Sequence, residues 1–220
     1  MFINANNLKI VKSIESDYKG TFVIEPLPRT YGATIANALR RVLMTSITGA
    51  AATQLKIKGA NHQFTTVEGV KEDIVQITLN LKQVRFNLHS DKAEVITLNK
   101  KGQGVVTAKD FNLNSDIEVM NPDQVIATLS DKDSEINMEL IVEPGVGYSP
   151  REDREKSNTK LGSITLDALF SPVKNVTYKI ESARFGERVD LDKIILDIET
   201  DGSITPENAI REAAEVLKSY

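Results

Sequence analysis

Two amphipathic helical stripes, one near each end of the chain, bracket a stretch that reads almost wholly as strand and turn. No single motif narrows the possible folds as much. The first stripe predicts a helix over Tyr31 to Ile47. Ile35, Leu39, Val42, Leu43 and Ser46 share one face at helical spacing, Pro26 and Pro28 stand ahead of it, and Gly49 follows as a stop signal. The last stripe opens at Thr205-Pro206-Glu207, an N-cap threonine, a proline at the first helical position and an acid in the first turn. Ile210, Ala213, Ala214 and Leu217 then line one face. No C-cap signal closes it before Tyr220, so the natural protein is expected to continue. A third helix is expected over Val67 to Leu81, with Thr65 and Glu68 in capping-box register and an apolar stripe of Val70, Ile74, Ile77 and Leu81.

Elsewhere the period drops to two. Val84, Phe86 and Leu88 alternate with polar residues, as do Ile136, Met138 and Leu140 and the run Val173 to Ile180. Ile194 to Ile198 is a denser apolar run closed by a turn at Asp201-Gly202. Further strands are expected at Leu8 to Ile14, Thr21 to Glu25, Thr53 to Lys58 and Val95 to Leu98. Glu143 to Ser163 is rich in glycine, proline and charge and reads as a long surface loop. The outer pieces resemble each other in kind. Packing both ends into one domain, residues 1–48 plus 173–220, leaves residues 49–172 as an inserted β-rich domain.

Composition removes several function classes. Of 220 residues, 40% are hydrophobic and 26% charged, which suits a folded domain with an ordinary surface. The formal net charge of -4 argues against a surface that binds DNA by neutralising phosphates. With aromatic residues at 5%, stacking platforms for single strands are scarce. The absence of cysteine excludes disulfides, thiolate zinc sites and cysteine nucleophiles. Met1 to Ile10 lacks the apolar core of a secretory signal, and no apolar run is long enough to span a bilayer. A cytoplasmic protein is therefore expected, and Asn175-Val176-Thr177 reads as a chance match to a glycosylation site.

No arrangement of nucleophile, base and orienting partner can be read. His62 and His89 fall in different elements and read as surface residues. Asp190 with Asp192, and Asp131 with Asp133, are hard-cation ligand types but stand outside any calcium-loop pattern. Gly102-Gln103-Gly104 lacks the third glycine and the following helix of a phosphate-binding loop and reads as a hairpin turn. Neither a cofactor nor a metal is expected. The informative piece is Arg40-Arg41, two arginines in a helix otherwise apolar and rich in small residues, with Ala33, Ala36 and Ala38 permitting close helix approach. Successive residues turn by about 100°, so the two cannot share a face. They are either ordinary surface cations or a contact for a partner.

Glu25-Pro26-Leu27-Pro28-Arg29-Thr30-Tyr31-Gly32-Ala33-Thr34-Ile35-Ala36-Asn37-Ala38-Leu39-Arg40-Arg41-Val42-Leu43 resembles the signature helix of bacterial RNA polymerase alpha subunits. The likeness continues in order through Thr66 to Ile74, Leu79 to Lys82, Leu98 to Lys100, Asp123 to Ile126, Gly145-Val146-Gly147-Tyr148, Ser171 to Val173, Asp190 to Lys193 and Thr205 to Ile210. Each match is weak alone; the ordered series covers nearly the whole chain. Departures stand at Ala36, where glycine is usual, at Ile35 and Met44 in place of leucine, at Pro144 and Val146 in place of arginine, and at Val189 in place of threonine.

The resemblance implies a two-domain α+β fold and a non-catalytic assembly scaffold. The chain-end domain would dimerise through the first and last helices, whose apolar faces carry Ile35, Leu39, Val42, Leu43, Ile210, Ala213, Ala214 and Leu217. The dimer would then recruit the beta and beta-prime subunits, with Arg29, Arg40, Arg41, Lys71, Asp73 and Lys82 mapping to the large-subunit contacts. DNA contact would fall to a further C-terminal domain beyond this region. A free-standing β-rich enzyme and a lone nucleic-acid-binding module are the competing classes. The first lacks a catalytic constellation and the second lacks basic charge.

Overall fold

The computed structural model describes residues 8–60, 62–155 and 162–219. The expectations for residues 1–7 at the chain start, for Lys156 in the charged run and for Tyr220 lie outside them. In chain order the strands and helices are β1 (Lys9–Ser16), β2 (Lys19–Leu27), α1 (Tyr31–Thr45), β3 (Thr48–Ile57), α2 (Ile74–Leu81), β4 (Phe86–Leu88), β5 (Glu94–Lys101), β6 (Gly104–Thr107), β7 (Phe111–Asn112), β8 (Ile117–Val119), β9 (Val125–Leu129), β10 (Glu135–Val146), β11 (Tyr148–Ser149), α3 (Arg151–Glu155), β12 (Ile164–Thr165), β13 (Ala168–Leu169), β14 (Val173–Phe185), β15 (Arg188–Thr200) and α4 (Pro206–Ser219). The fold is α+β. It falls into two compact units, Met1–Ile47 with Ser171–Tyr220, and Thr48–Phe170.

The chain-end unit is a four-stranded antiparallel sheet in the order β1-β2-β15-β14, with α1 and α4 on one face. Strand register explains why that face is apolar. Phe22 pairs with Leu196 and Ile24 with Ile194, while Val176 pairs with Ile198. All six point at the helices, which return Ala36, Leu39, Leu43, Ala209 and Ala213 into the same core. Burying a leucine such as Leu43 contributes about 1.5–3 kcal/mol. Thr205 caps α4, its hydroxyl accepting from the Asn208 N–H at 3.3 Å.

The middle unit is built on β10, which pairs with β5 on one side and β3 on the other. Leu140 lies between Ile96 and Leu55, and Met138 between Leu98 and Ile57. α2 lays Ile74, Ile77 and Leu81 on this layer, and two short ribbons, β6-β9 and β11-β13, complete the unit.

Four local expectations are corrected. The first helix ends at Thr45, where the Ser46 N–H closes the last turn on the Val42 carbonyl; Gly49 is no stop but a strand residue opposite Gly145. The second helix starts at Ile74 rather than near Val67. Gly69 takes a left-handed φ of 77° that helix cannot continue through, and Asp73 supplies the cap by accepting from the Gln76 N–H at 2.7 Å. The expected capping box does not form; the Thr65 hydroxyl donates to the His62 carbonyl instead. Gly102 does begin a turn, but β5 and β6 do not make a hairpin, because β6 pairs with β9.

Most of the described part of the stretch from Glu143 is strand or helix and not loop. β10 runs on to Val146 against β3, β11 and α3 follow, and Arg154 bonds Glu143 at 2.8 Å and stacks 5.2 Å from the Phe170 ring centre. Gly145 serves a close approach here: a Cβ would stand 2.8 Å from the Phe170 ring.

Candidate docking surfaces

The arginines expected to meet a partner gather around α1. Arg29, Arg40 and Arg41 are all exposed. Arg40 reaches back to Asn37 at 3.4 Å, whereas the Arg41 guanidinium has no hydrogen bond or ion pair among the described residues. The start of this helix is held from across the chain. Thr30, just before it, has a φ of 77° and makes no side-chain cap. Asp192 of β15 substitutes, accepting from the Gly32 N–H at 3.0 Å over a separation of 160 residues. Two positions earlier, Asp190 forms a two-pronged pair with Arg188. Arg188 holds the Asp190 carboxyl below its usual range, and Arg29 adds to that attraction. The two aspartates read as cation-ligand types are thus a guanidinium partner and a remote helix cap.

In the middle unit the expected residues line up along α2 with different duties. Lys71 is exposed, its N–H donating to the Thr128 carbonyl. Asp73 caps the helix start. Lys82, just past the helix end, lies 2.6 Å from Asp167. Asp167 also accepts from the Arg151 N–H at 3.0 Å, and its carboxyl is held below the usual range first by the Lys82 bond, then by the Arg151 N–H. Glu72 accepts from both the N–H and the hydroxyl of Thr128, at 2.7 and 2.9 Å. The arginine set and the α2 set belong to different units.

Asp192 as a cap and Asp167 as a clasp were missed in the sequence. Asp167 left one faint signal, a lone charge inside the apolar run Ile164 to Leu169. His62 is exposed, and the His89 ring nitrogen stands 3.8 Å from Glu118 at a half-exposed site. Among the described residues no group of three or more histidines and acids is placed to hold a metal, and no helix is long and apolar enough to cross a membrane.

Residues 55–171 match the RNA polymerase Rpb3/RpoA insert domain. A DNA-directed RNA polymerase subunit alpha of Oceanobacillus iheyensis is 43% identical over 218 residues, which is 99% of this chain and 69% of that protein. The chain belongs to the RNA polymerase alpha-subunit family. Alpha subunits of Maridesulfovibrio salexigens and Lawsonia intracellularis are 48% and 46% identical over 199 and 211 residues. The chain covers 57% and 60% of their lengths.

Within this alpha-family fold, the ordered motifs meet in space. The α1 signature is capped by the Asp190 to Lys193 motif. The α2 motif is bonded to the strand of Val125 and Ile126, Asn80 donating to the Ile126 carbonyl at 2.9 Å. Among the expected interface residues, Leu39 (6% exposed), Leu43 (0%) and Ala213 (0%) pack in the unit's own core. The helical side chains still reachable are the partly buried Ile35, Val42, Ile210 and Leu217, and the exposed Ala214. The apolar stripe read from the periodicity faces inward first, because two helices on one sheet face must cover that sheet.

Proposed function

We propose that this chain is a non-catalytic scaffold of a DNA-directed RNA polymerase, working in the cytoplasm. Two copies pair through the outward flanks of α1 and α4, at Ile35, Val42, Ile210, Ala214 and Leu217. The pair then recruits the beta and beta-prime subunits through Arg29, Arg40 and Arg41 on one unit and the α2 region around Lys71, Asp73 and Lys82 on the other. It needs no cofactor, and this region makes no contact with DNA. The observation that carries the reading is Arg41, an exposed arginine without a described side-chain partner, on the helix with the most extended family signature. A guanidinium presents five donors in a planar fork and can fix a carboxylate or carbonyl across an interface. Arginines of this kind are frequent interface hot spots, whose truncation costs about 2 kcal/mol or more. Arg41→Ala tests the reading by pull-down with tagged beta subunit. The variant is expected to remain folded and dimeric and to lose beta. Normal retention of beta would sink the assignment, and unfolding would make Arg41 a support of the fold.

A further inference from the structure

We propose that Lys82 serves the docking surface as a strut and not as a contact: through Asp167 it pins the β11-β13 ribbon to the end of α2. The proposal rests on the docking reading above for its role, and on three observations for its mechanism.

The first is reach. The Lys82 ammonium lies 2.6 Å from Asp167 Oδ2, with both side chains about one-third exposed. At that distance one of the three ammonium N–H groups is committed to Asp167. The second is that Asp167 has two duties. Its Oδ1 accepts from the Arg151 N–H at 3.0 Å, so one carboxylate joins the end of α2, the chain entering β13 and the start of α3. The third is the shortness of what it holds. The β11-β13 ribbon is two residue pairs long, Tyr148 with Leu169 and Ser149 with Ala168; Ala168 is buried with Phe170 against Ala51 and Ser149 accepts from Arg154, which leaves the Lys82–Asp167 pair to hold the chain entering β13. The ribbon presents Tyr148 at 61% and Leu169 at 49% exposure. These two, with Lys82, Asp167 and Arg85, ring a hollow floored by Ala51, Ala52, Leu81 and Val84. Without the pin, the chain entering β13 loosens beside the apolar pair while the buried Ala168 and Phe170 stay packed.

Lys82→Met and Asp167→Asn, alone and combined, test this in two ways. The first needs no partner. Hydrogen exchange at the Arg151 amide, which donates to Asp167 at 3.0 Å, is expected to quicken about tenfold in Lys82→Met. Amides of β10 are expected to stay unchanged. Unchanged exchange at Arg151 would overturn the strut, whatever a partner does. The second test is retention of tagged beta and beta-prime subunits. Asp167→Asn is expected to weaken it as much as Lys82→Met, with the double variant no worse than either. If Lys82→Met weakens retention while Asp167→Asn, which removes the ammonium's counter-charge but keeps the ammonium, does not, Lys82 touches the partner and the proposal fails. It fails too if the two losses add. Failure of the unsubstituted chain to retain either subunit would overturn the docking reading, leaving the exchange result to judge the strut.

Discussion

Thr30 sits at a φ of 77°, in the left-handed region where a β-branched residue is strained. That conformation costs an L-residue roughly 1–2 kcal/mol, and glycine avoids the cost at the expense of some extra freedom in the unfolded chain. Thr30 is exposed and gives α1 no side-chain cap, so its replacement loses little. Thr30→Gly is expected to raise stability by up to about 1 kcal/mol. The gain should appear as a higher urea midpoint with an unchanged slope; a lower midpoint would show that the Thr30 side chain does useful packing. Gly145 is the opposite case. Gly145→Ala drives a methyl into the Phe170 ring and is expected to cost on the order of 1–3 kcal/mol, visible in the same assay.

At the scale of elements, α1 depends on a cap that its own segment does not supply. Asp192→Ala leaves the Gly32 N–H without its acceptor and is expected to cost about 1 kcal/mol, the usual worth of an N-cap. Exchange protection should fall at the start of α1 and not at its end. Capping boxes are local and can be read from neighbours; this cap joins residues 160 positions apart, a relation no window shows. The stretch after Glu143 fails to read for a related reason. Glycine and proline suggest a loop, yet Gly145 is placed for close packing, and Pro144 occupies a strand position opposite Ala50. Arg154, bonded to Glu143 and stacked on Phe170, holds α3 in place. Trypsin is therefore expected to cut slowly after Arg151 in the unsubstituted chain and faster in Arg154→Ala. Equal rates would remove the clasp from the account.

For the whole molecule, acid should act on the middle unit through Asp167 and Asp110. Burial raises Asp110, but Lys100 and Thr107 together outweigh it, so both carboxyls lie below the ordinary value of 3.8. A carboxylate with a depressed folded pKa stabilises in full above the ordinary value, and its contribution disappears as pH falls through the folded one. The urea midpoint of the middle unit is expected to hold near neutral pH and to drop as the pH falls below the ordinary carboxyl value of 3.8. Asp167→Asn should flatten part of that drop. Oligomeric state separates surface from core in the chain-end unit. Ala214→Asp places a charge on an exposed helix position and is expected to yield folded monomer by size-exclusion chromatography. Leu39→Asp buries a charge in the unit's own core, 6% exposed, and is expected to unfold it. A dimeric Ala214→Asp variant would move the pairing face away from α4.

Periodicity alone determined the helices at Tyr31 and Pro206, because hydrophobic spacing is local and the turn residues beside it are local too. It also marked most of the strands, since alternation follows from one buried face per strand. The ordered motifs pointed to the family before any contact was known. Only the tertiary structure decided which residues of an apolar stripe face inward: Leu39 and Leu43 go to the sheet, while Ile35 and Val42 remain at its margin. A helix face is wider than the strip a sheet can cover, and the boundary is set by where neighbouring strands lie. The tertiary structure also decided the partners of charge. Asp192 with Gly32 and Asp167 with Lys82 are joined across 160 and 85 residues, because electrostatic attraction acts on distance in space and the fold of each unit brings its own pair together.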